Sequence, residues 1–267
     1  MTAMTTMPRL GMGTWELTGD RAAPAVETAI GLGYRHIDTA QMYGNETEVG
    51  RGIAASGIDR DELWVTTKLA NGNHAPDDVV SSTEGSLRDL ALDHVDLLLI
   101  HWPVEPDRLE ATLEAMAGLR DRGLTRHVGV SNFTADQVKR AQSVTDILTD
   151  QVEYHALLDQ RPVLEAVRAI EGVLTAYSPL ARGELLSHPV IVNIAGARSA
   201  SPAQIALRWL LDQDDVVVIP KGSSEDHLRD NLAALDMPPL EPEDTAAIDA
   251  LPKSERVIDP PFAPDWD

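Results

Sequence analysis

Short apolar segments alternate with longer segments of helical spacing along most of the chain. Eight of the short segments are rich in Val, Leu and Ile, and most of them are almost continuously apolar. That pattern is typical of parallel strands that are covered on both faces. The predicted strands are Leu10–Thr14, Tyr34–Asp38, Leu63–Thr67, Val95–Ile100, His127–Ser131, Ile147–Gln151, Val173–Tyr177 and Val216–Pro220.

The segments between these strands carry helix signals. Apolar residues recur at helical spacing between residues 109 and 119, and a glycine follows as a stop. Thr134–Gln137 and Ser201–Gln204 both have the sequence of a capping box, which marks the start of a helix. Residues Ser187–Gly196 predict an additional helix before the one that begins near residue 202.

Strand–helix alternation repeated eight times predicts the α/β class and a single (β/α)8 TIM barrel. The chain has 267 residues, close to the roughly 250 that are typical of such barrels. No linker rich in Pro, Gly or Ser divides it, so we expect one domain over residues 1–267. An open doubly wound sheet is the alternative. Its first strand is normally followed by a three-glycine fingerprint, and Gly11–Trp15 lacks the third glycine.

The charge balance argues against nucleic acid as a partner. The formal net charge is −21, from 43 acidic and 22 basic residues, so a basic face for nucleic acid is not expected. The acids are dispersed and do not form a tail. Abundant acids with few lysines favour adaptation to a salt-rich cytoplasm, where self-repulsion is screened. An acid-rich host composition is the alternative explanation.

Other features of the sequence bear on the compartment of the protein and on its possible ligands. The chain has no cysteine, so disulfide and thiolate chemistry are excluded. Residues 1–9 lack a basic flank and a long apolar run, which predicts no signal peptide. No apolar run approaches the roughly 18 residues of a membrane span, and no HExxH or paired-cysteine pattern indicates a metal site. We therefore expect a cytoplasmic protein that binds neither membrane, metal nor nucleic acid, and that is monomeric or weakly associating.

Four polar side chains lie at or just after the ends of three predicted strands. Asp38, Lys68 and His101 close their strands, and Tyr43 follows five residues after Asp38. In a barrel of parallel strands those ends meet at one mouth, where the chemistry of such folds takes place. Taken singly, each residue could be structural, and the joint pattern is what favours catalysis. Lysines are scarce, at four in the chain, which makes the position of Lys68 more informative.

These four side chains form a set that suits proton transfer. The pKa of a phenol is near 10, and an adjacent ammonium such as Lys68 favours the phenolate of Tyr43. Asp38 would keep Lys68 charged and in place, and His101 could donate a hydrogen bond to a substrate oxygen. Such a set suits protonation of a carbonyl oxygen while hydride reaches the carbonyl carbon. Since no side chain carries hydride, a nicotinamide cofactor is needed.

The sequence resembles the aldo-keto reductase family over essentially its whole length. Gly33–Glu46 resembles the first signature of the family, Leu98–Pro103 its histidine strand and Gly129–Phe133 its cofactor strand. The short N-terminus and the ending Ala263–Asp267 are most similar to the compact bacterial 2,5-diketo-D-gluconate reductases of the B type.

The resemblance implies roles for the residues that match these motifs. Tyr43 would be the general acid, Lys68 and Asp38 would tune it, and His101 would orient the carbonyl. Trp15 and Trp102 would form walls of the substrate pocket. The implied cofactor contacts are Gly13, Thr14, Ser131, Asn132, Gln151, Tyr177, Ser178, Leu180, Arg182, Lys221, Gly222, Ser223, His227, Asp230 and Asn231.

These contacts divide by the part of the dinucleotide that they would meet. Three residues at the ends of the fifth and sixth strands would bind the nicotinamide carboxamide, namely Ser131, Asn132 and Gln151. Tyr177 would stack on the ring, and Ser178, Leu180 and Arg182 would lie along the pyrophosphate. Asp230 and Asn231 would contact the adenine, also by resemblance.

The segment after the last strand carries the choice between two cofactors. Lys221 can meet a 2′-phosphate as a point charge, and backbone N–H groups that open the next helix also suit an anion. Gly222 stands where the family commonly has serine or threonine, and His227 where it often has arginine. Glu225 and Asp226 add negative charge. The sequence favours NADPH, with NADH as the alternative.

The expected function is NADPH-dependent reduction of small aldehydes, 2-oxoaldehydes or keto-sugars, with Tyr43 as the proton donor. One alternative is a nicotinamide-binding regulatory or redox-sensing barrel with little turnover. The intact set of four residues argues against it. A second alternative is a barrel lyase in which Lys68 forms a Schiff base, and that chemistry has no use for Tyr177 or Lys221.

Overall fold

The computed structural model describes residues 7–267, and these residues contain a sheet of eight parallel strands. The strands follow one another in the sheet in the same order as in the chain. Residues 1–6 lie outside the described range, so most of the segment on which the signal-peptide prediction rests does too. The strands are β1 Met12–Gly13, β2 His36–Asp38, β3 Trp64–Leu69, β4 Val95–Ile100, β5 Thr125–Ser131, β6 Thr149–Glu153, β7 Val173–Tyr177 and β8 Val216–Val218.

All eight predicted strands are present; β4 and β7 have the predicted bounds, and the other six have shifted ends. The largest shift is in β6, which begins two residues later than predicted and runs on to Glu153. The doubly wound alternative is wrong, because that fold reverses its strand order and this sheet does not. Backbone hydrogen bonds also join the two ends of the sheet. Gly11 N donates to Val218 O at 2.8 Å and Gly13 N donates to Pro220 O at 3.1 Å.

Within residues 7–267 the connections contain ten α-helices, and none of them is long and apolar enough to cross a membrane. Both predicted capping boxes are confirmed, at Thr134 with Gln137 and at Ser201 with Gln204. The additional helix predicted after the seventh strand is α7. The helices are α1 Ala22–Leu32, α2 Glu46–Ser56, α3 Pro76–Leu90, α4 Leu109–Asp121, α5 Ala135–Gln142, α6 Arg161–Ala169, α7 Pro189–Arg198, α8 Pro202–Leu211, α9 Glu225–Ala233 and α10 Pro242–Asp249.

The core lies on both faces of the sheet. In β4, Leu98 and Ile100 join the main hydrophobic cluster formed with the helices, whereas Leu97 and Leu99 belong to a separate cluster with Trp64. Successive strand residues point to opposite faces, so the second cluster fills the side of the sheet away from the helices. Because the strands are parallel, all their carboxyl ends lie at one edge of this core.

Two buried carboxyl groups on neighbouring parts of the sheet differ in how they are satisfied. Asp96 in β4 accepts hydrogen bonds from Arg60 at 2.7 Å, Arg126 at 3.0 Å and the backbone N–H of Val65 at 2.8 Å. Asp150 in β6 accepts one long bond of 3.4 Å from the backbone N–H of Phe133, and among the described residues its Oδ2 has no partner. Burial raises the pKa of Asp150 well above the usual value for an aspartic acid.

This difference predicts opposite effects of the same substitution. The raised pKa of Asp150 means that its contribution to stability is complete only below the unfolded-state pKa and is lost as the pH rises towards the folded-state pKa. Asp150→Asn should therefore raise the melting temperature at pH 7 by about 2–4 °C, a shift that corresponds to roughly 1 kcal/mol in a chain of this size. The gain should shrink towards about pH 4.

Asp96→Asn is the matched control for this prediction. It weakens charge-assisted hydrogen bonds and should lower the melting temperature at the same pH. Thermal unfolding followed by circular dichroism across the pH range measures both variants. Equal destabilisation by both substitutions at pH 7 would contradict the account of Asp150.

Candidate active site

A buried ion pair lies at the carboxyl ends of β2 and β3. Lys68 Nζ donates to Asp38 Oδ1 at 2.5 Å and to the backbone oxygen of Thr39 at 2.9 Å. The Lys68 side chain is completely buried and that of Asp38 almost so. Gln151 of β6 satisfies the second Asp38 oxygen, with Nε2 at 2.7 Å. A buried charge is tolerated only when it is paired in this way.

The phenol of Tyr43 lies on the open side of this ion pair. Its oxygen accepts a hydrogen bond from Lys68 Nζ at 3.3 Å. Burial raises the pKa of the Tyr43 phenol, and the charge of Lys68 opposes that rise. Lys68 therefore acts in the direction that the sequence predicts, but burial outweighs it and the phenol remains protonated near neutral pH.

The ammonium of Lys68 is held in its charged form. Burial by itself lowers the pKa of Lys68, but the Asp38 carboxylate and the Tyr43 phenol outweigh burial, so the pKa is raised overall. The amine is therefore protonated and inaccessible. That state suits a fixed positive charge beside a phenol and does not suit a nucleophile.

His101 lies beside Tyr43 at the end of β4. The ring centroids of the two residues are 5.7 Å apart in an edge-to-face arrangement. Burial lowers the pKa of His101 well below its usual value, and the positive charge of Lys68 adds to that effect. The imidazole is therefore neutral near pH 7 and can donate one N–H to a substrate oxygen. The structure thus brings together all four residues of the predicted proton-transfer set.

A polar network fixes the turn that carries Tyr43. Tyr43 ends a 3-10 turn over residues 41–43, and Gly44 after it has a left-handed backbone. Asn45 Nδ2 donates to the backbone oxygens of Thr14 and Leu17, and its Oδ1 accepts from Thr39 Oγ1. Asn45 thus ties the loop after β1 to the loop after β2. The sequence patterns did not single it out.

The residues expected to meet a nicotinamide form one connected group. Ser131 Oγ donates to the backbone oxygen of Gln151 at 2.7 Å, and Asn132 Nδ2 donates to the backbone oxygen of His101 at 2.9 Å. Tyr177 OH donates to Asn132 Oδ1 at 2.8 Å. Tyr177 is half-buried at the end of β7, so one part of its ring faces the mouth.

The segment after β7 has an unusual backbone. Ser178, Ala181 and Arg182 all have positive φ values, between 46° and 51°. Residues with a side chain rarely adopt that conformation, and such residues concentrate at ligand sites. The expected pyrophosphate contacts Ser178, Leu180 and Arg182 therefore lie on a tightly wound segment at the mouth. Arg182 is exposed.

The segment after β8 leads into the N-terminus of α9. Ser224 caps that helix, and its Oγ accepts a hydrogen bond from the backbone N–H of His227 at 3.3 Å. Ser223 and the His227 ring are exposed. Lys221 Nζ forms a salt bridge with Glu16 Oε2 at 2.9 Å. Glu16 lies in the loop after β1, and sequence reasoning missed it.

The structure explains why Gly222 departs from the serine or threonine that was expected. A Cβ at this position would lie 2.5 Å from Leu228 Cδ2 and 2.8 Å from Leu228 Cγ. Leu228 is fully buried on α9 and belongs to the core. Gly222 therefore allows the first turn of α9 to pack closely against the end of β8. Gly13 on β1 also allows a close approach, because a Cβ there would lie 2.8 Å from the backbone oxygen of Ile219.

One of the two expected adenine contacts, Asp230, already has hydrogen-bond partners in the protein. Asp230 accepts hydrogen bonds from Ser201 Oγ at 2.7 Å and from Gln204 Nε2 at 2.8 Å, which joins α9 to the start of α8. Asn231 is buried. Thr14, the expected contact on β1, is buried too and donates through Oγ1 to the backbone oxygen of Asp38 at 2.9 Å.

The two tryptophans lie in different surroundings. Trp15 is 46% exposed and its ring centroid is 4.9 Å from that of Tyr43. Trp102 is buried under the C-terminal segment, where its ring meets Phe262 at 5.4 Å and Trp266 at 6.1 Å. Trp15 therefore borders the mouth directly, whereas Trp102 supports Phe262 and Trp266 beside it.

One buried carboxylate anchors this C-terminal segment. Glu153, at the end of β6, accepts hydrogen bonds from the backbone N–H groups of Val257 at 2.7 Å and Ile258 at 2.8 Å. Its Oε1 also lies 2.8 Å from His155 Nε2. The side chains of Glu153 and His155 are both completely buried. Sequence reasoning missed this anchor because the bonded residues are more than 100 positions apart.

The chain is similar to known proteins over almost all of its length. The model of the aldo/keto reductase family matches residues 9–253. The methylglyoxal reductase DkgB of Salmonella typhimurium is 39% identical over 268 residues, which cover 98% of this chain and all of that protein.

Solved structures agree with this match. A crystal structure described as a putative 2,5-diketo-D-gluconic acid reductase B is 40% identical, with a TM-score of 0.95 over 98% of this chain and 94% of that one. An aldose reductase from Schistosoma japonicum is 29% identical, with a TM-score of 0.88 over 95% of this chain and 91% of that one. The predicted resemblance is confirmed, and this chain belongs to the aldo/keto reductase family.

Proposed function

We propose that this chain is a nicotinamide-dependent reductase of small aldehydes, 2-oxoaldehydes or keto-sugars, with Tyr43 as the proton donor. The observation that carries the proposal is the Tyr43 phenol, 3.3 Å from a buried ammonium that Asp38 holds in place. The names of two similar proteins refer to methylglyoxal and to 2,5-diketo-D-gluconic acid. Both compounds are small carbonyl substrates of the proposed class.

The chemistry follows from the charges at the mouth. A reduced nicotinamide held by Ser131, Asn132 and Gln151 would supply the hydride, with its two electrons, for the carbonyl carbon. Tyr43 transfers its proton to the carbonyl oxygen, so an alcohol forms and a phenolate remains, which regains its proton from water. The ammonium of Lys68 stabilises that phenolate. Neutral His101 donates a hydrogen bond to the same carbonyl oxygen and thereby orients the substrate.

The donor set at the mouth fits a nicotinamide carboxamide. Nε2 of Gln151 is committed to Asp38, which leaves its carbonyl oxygen available to accept from an amide. Ser131 and Asn132 lie beside it and are linked by a 3.0 Å hydrogen bond. Tyr177 offers the partly exposed face of a ring whose hydroxyl is tied to Asn132. Such a fixed ring can hold a second flat ring in one orientation.

NADPH is the proposed cofactor, with NADH as the alternative. Lys221 supports the choice, because an ammonium can pair with a 2′-phosphate and has no partner on a 2′-hydroxyl. The N-terminus of α9 adds backbone N–H groups and a favourable dipole for an anion. The exposed acids Glu225 and Asp226 in the first turn of α9 act in the opposite direction, and His227 lacks the bidentate fork of an arginine.

The two alternatives from the sequence have less support. A Schiff base at Lys68 needs an unprotonated and accessible amine, whereas Lys68 is fully buried with a raised pKa. A regulatory barrel with little turnover has no need of an assembled proton donor. The arrangement of Asp38, Tyr43 and Lys68 favours catalysis over sensing.

The remaining features of the proposal concern the whole molecule. We infer that the sheet closes into a (β/α)8 barrel, since hydrogen bonds already join residues 11–13 to residues 218–220. One domain would then span the chain. The proposed enzyme works in the cytoplasm as a monomer, and its charge of −21 suits a salt-rich interior in which surface charges are screened.

Tyr43→Phe tests the proton donor. The substitution removes the hydroxyl and keeps the ring against Trp15 and His101, so cofactor binding should be retained. We expect turnover of methylglyoxal to fall at least about a thousandfold. Loss of reduced-cofactor absorbance measures turnover, and quenching of tryptophan fluorescence measures cofactor binding.

Tyr154→Phe is the matched control for Tyr43→Phe. It removes another largely buried phenol, whose hydroxyl donates to Gln213 Oε1 at 2.9 Å and not to a residue of the proton-transfer set, and turnover should change by less than about threefold. A Tyr43→Phe protein that still reduces methylglyoxal at the rate of the unmodified chain would refute the assignment of the proton donor.

Lys68→Met separates the structural role of the ion pair from its chemical role. The single variant leaves Asp38 buried without its countercharge and should lose about 3 kcal/mol of unfolding free energy. Adding Asp38→Asn removes that uncompensated charge and should restore most of the loss. Neither variant should recover turnover, because both lack the ammonium beside Tyr43. Urea unfolding and the reduction assay measure the two effects, and full activity in the double variant would contradict the role of Lys68.

A further inference from the structure

An exposed salt bridge crosses the rim of the mouth between the loops that follow β1 and β8. Glu16 Oε2 accepts a hydrogen bond from Lys221 Nζ at 2.9 Å. The two residues lie 205 positions apart in the chain, and they meet because Gly13 and Lys221 are paired across the two ends of the sheet. The bridge is therefore a product of the fold and not of local sequence.

The backbone at Glu16 holds the side chain in this position. Its φ is 62°, in the left-handed region that residues with a side chain rarely adopt. Conformations of this kind have a cost and persist where the surrounding structure imposes them, often beside ligand sites. The neighbouring residue Trp15 contacts Tyr43, so the same turn carries one side chain at the reacting centre and one at Lys221.

Lys221 is the lysine at this rim that an anionic ligand could reach. Lys68 is buried against Asp38, Lys139 pairs with Asp136, and Lys253 donates to the backbone oxygens of Ala156 and Ile248. The charge of Lys221 is at present shared with Glu16. The Lys221 hydrogen bond and charge, with a smaller contribution from Arg182, lower the pKa of Glu16, which keeps its carboxylate ionised.

We propose that Glu16 is a specificity-determining residue for the dinucleotide, because its carboxylate competes with a 2′-phosphate for Lys221. This inference rests on the proposed function. A dinucleotide with a 2′-phosphate gains the ammonium only by displacing Glu16, and it then has a carboxylate as a close neighbour. A dinucleotide with a 2′-hydroxyl does not need Lys221 and leaves the salt bridge intact. Glu16 therefore weakens binding of NADPH while leaving binding of NADH unchanged.

The size of the effect follows from the exposure of the pair. The side chains of Lys221 and Glu16 are 43% and 56% exposed, and exposed pairs of this kind are weak. Breaking the pair alone corresponds to about a two- to fivefold loss of affinity. Repulsion between the carboxylate and the phosphate adds to this loss. We therefore expect Glu16 to weaken NADPH binding by about three- to tenfold in total at low salt.

Glu16→Gln is the direct test. It keeps the length of the side chain and removes its charge, and it replaces an exposed residue, so folding should be unaffected. The dissociation constant of NADPH should fall about three- to tenfold, and that of NADH should stay within about twofold. Fluorescence of the bound reduced cofactor, titrated with each dinucleotide in the absence of substrate, measures both constants. The difference in NADPH affinity between Glu16→Gln and the unmodified chain should shrink at about 1 M NaCl, where screening is strong.

Two further variants make the test specific. Asp20→Asn removes an exposed acid from the same loop (Asp20 follows Glu16 by four residues), and it should leave both constants unchanged. Lys221→Met removes the cation for which Glu16 competes. In that background Glu16→Gln should no longer strengthen NADPH binding by more than about twofold.

The outcomes distinguish this inference from the function on which it rests. Glu16→Gln acting equally on NADPH and NADH, having no effect on either, or acting equally well without Lys221 would overturn the role of Glu16 alone. An unmodified chain that binds neither dinucleotide would overturn the proposed function, and with it the role of Glu16. Selective strengthening of NADPH binding that requires Lys221 would establish the competition.

Discussion

The ion pair between Lys68 and Asp38 is the constraint on which the mouth of the sheet depends. A fully buried ammonium is tolerated only with a countercharge and further hydrogen bonds, and here Asp38, Thr39 and Tyr43 provide them. Gln151, from the opposite part of the sheet, satisfies the remaining oxygen of Asp38. One electrostatic requirement therefore fixes the ends of three strands, β2, β3 and β6, relative to one another, and the same requirement places a phenol beside a positive charge.

Much of this arrangement could be predicted from the sequence because it follows from the ends of strands. Asp38, Lys68 and His101 close buried apolar runs, and parallel strands bring such residues to one edge of the sheet whatever the detail of the loops. The two capping boxes could also be predicted, since the two residues of each box lie three positions apart. The direction of the shift in the Tyr43 pKa was harder to predict. Sequence shows the neighbouring lysine, but not the degree of burial that outweighs it.

The missed features depend on contacts between distant segments of the chain. Glu16 meets Lys221 and Glu153 meets Val257 only after the sheet has formed, and no spacing rule connects such positions. Gly222 is a different case, because the sequence showed that it departs from expectation without showing why. The reason is the buried side chain of Leu228, which occupies the space that a Cβ would need.

The anchor at Glu153 separates two parts of the C-terminal segment. Residues up to Ile258 are bonded to the end of β6 by a carboxylate inside the protein, whereas Phe262 and Trp266 beyond it rest on Trp102 from above. Mutations in the last nine residues can therefore reshape one side of the opening without loosening the sheet beneath. Such changes would leave the proton-transfer groups in place, since Asp38, Lys68 and Gln151 are bonded to one another and not to this segment.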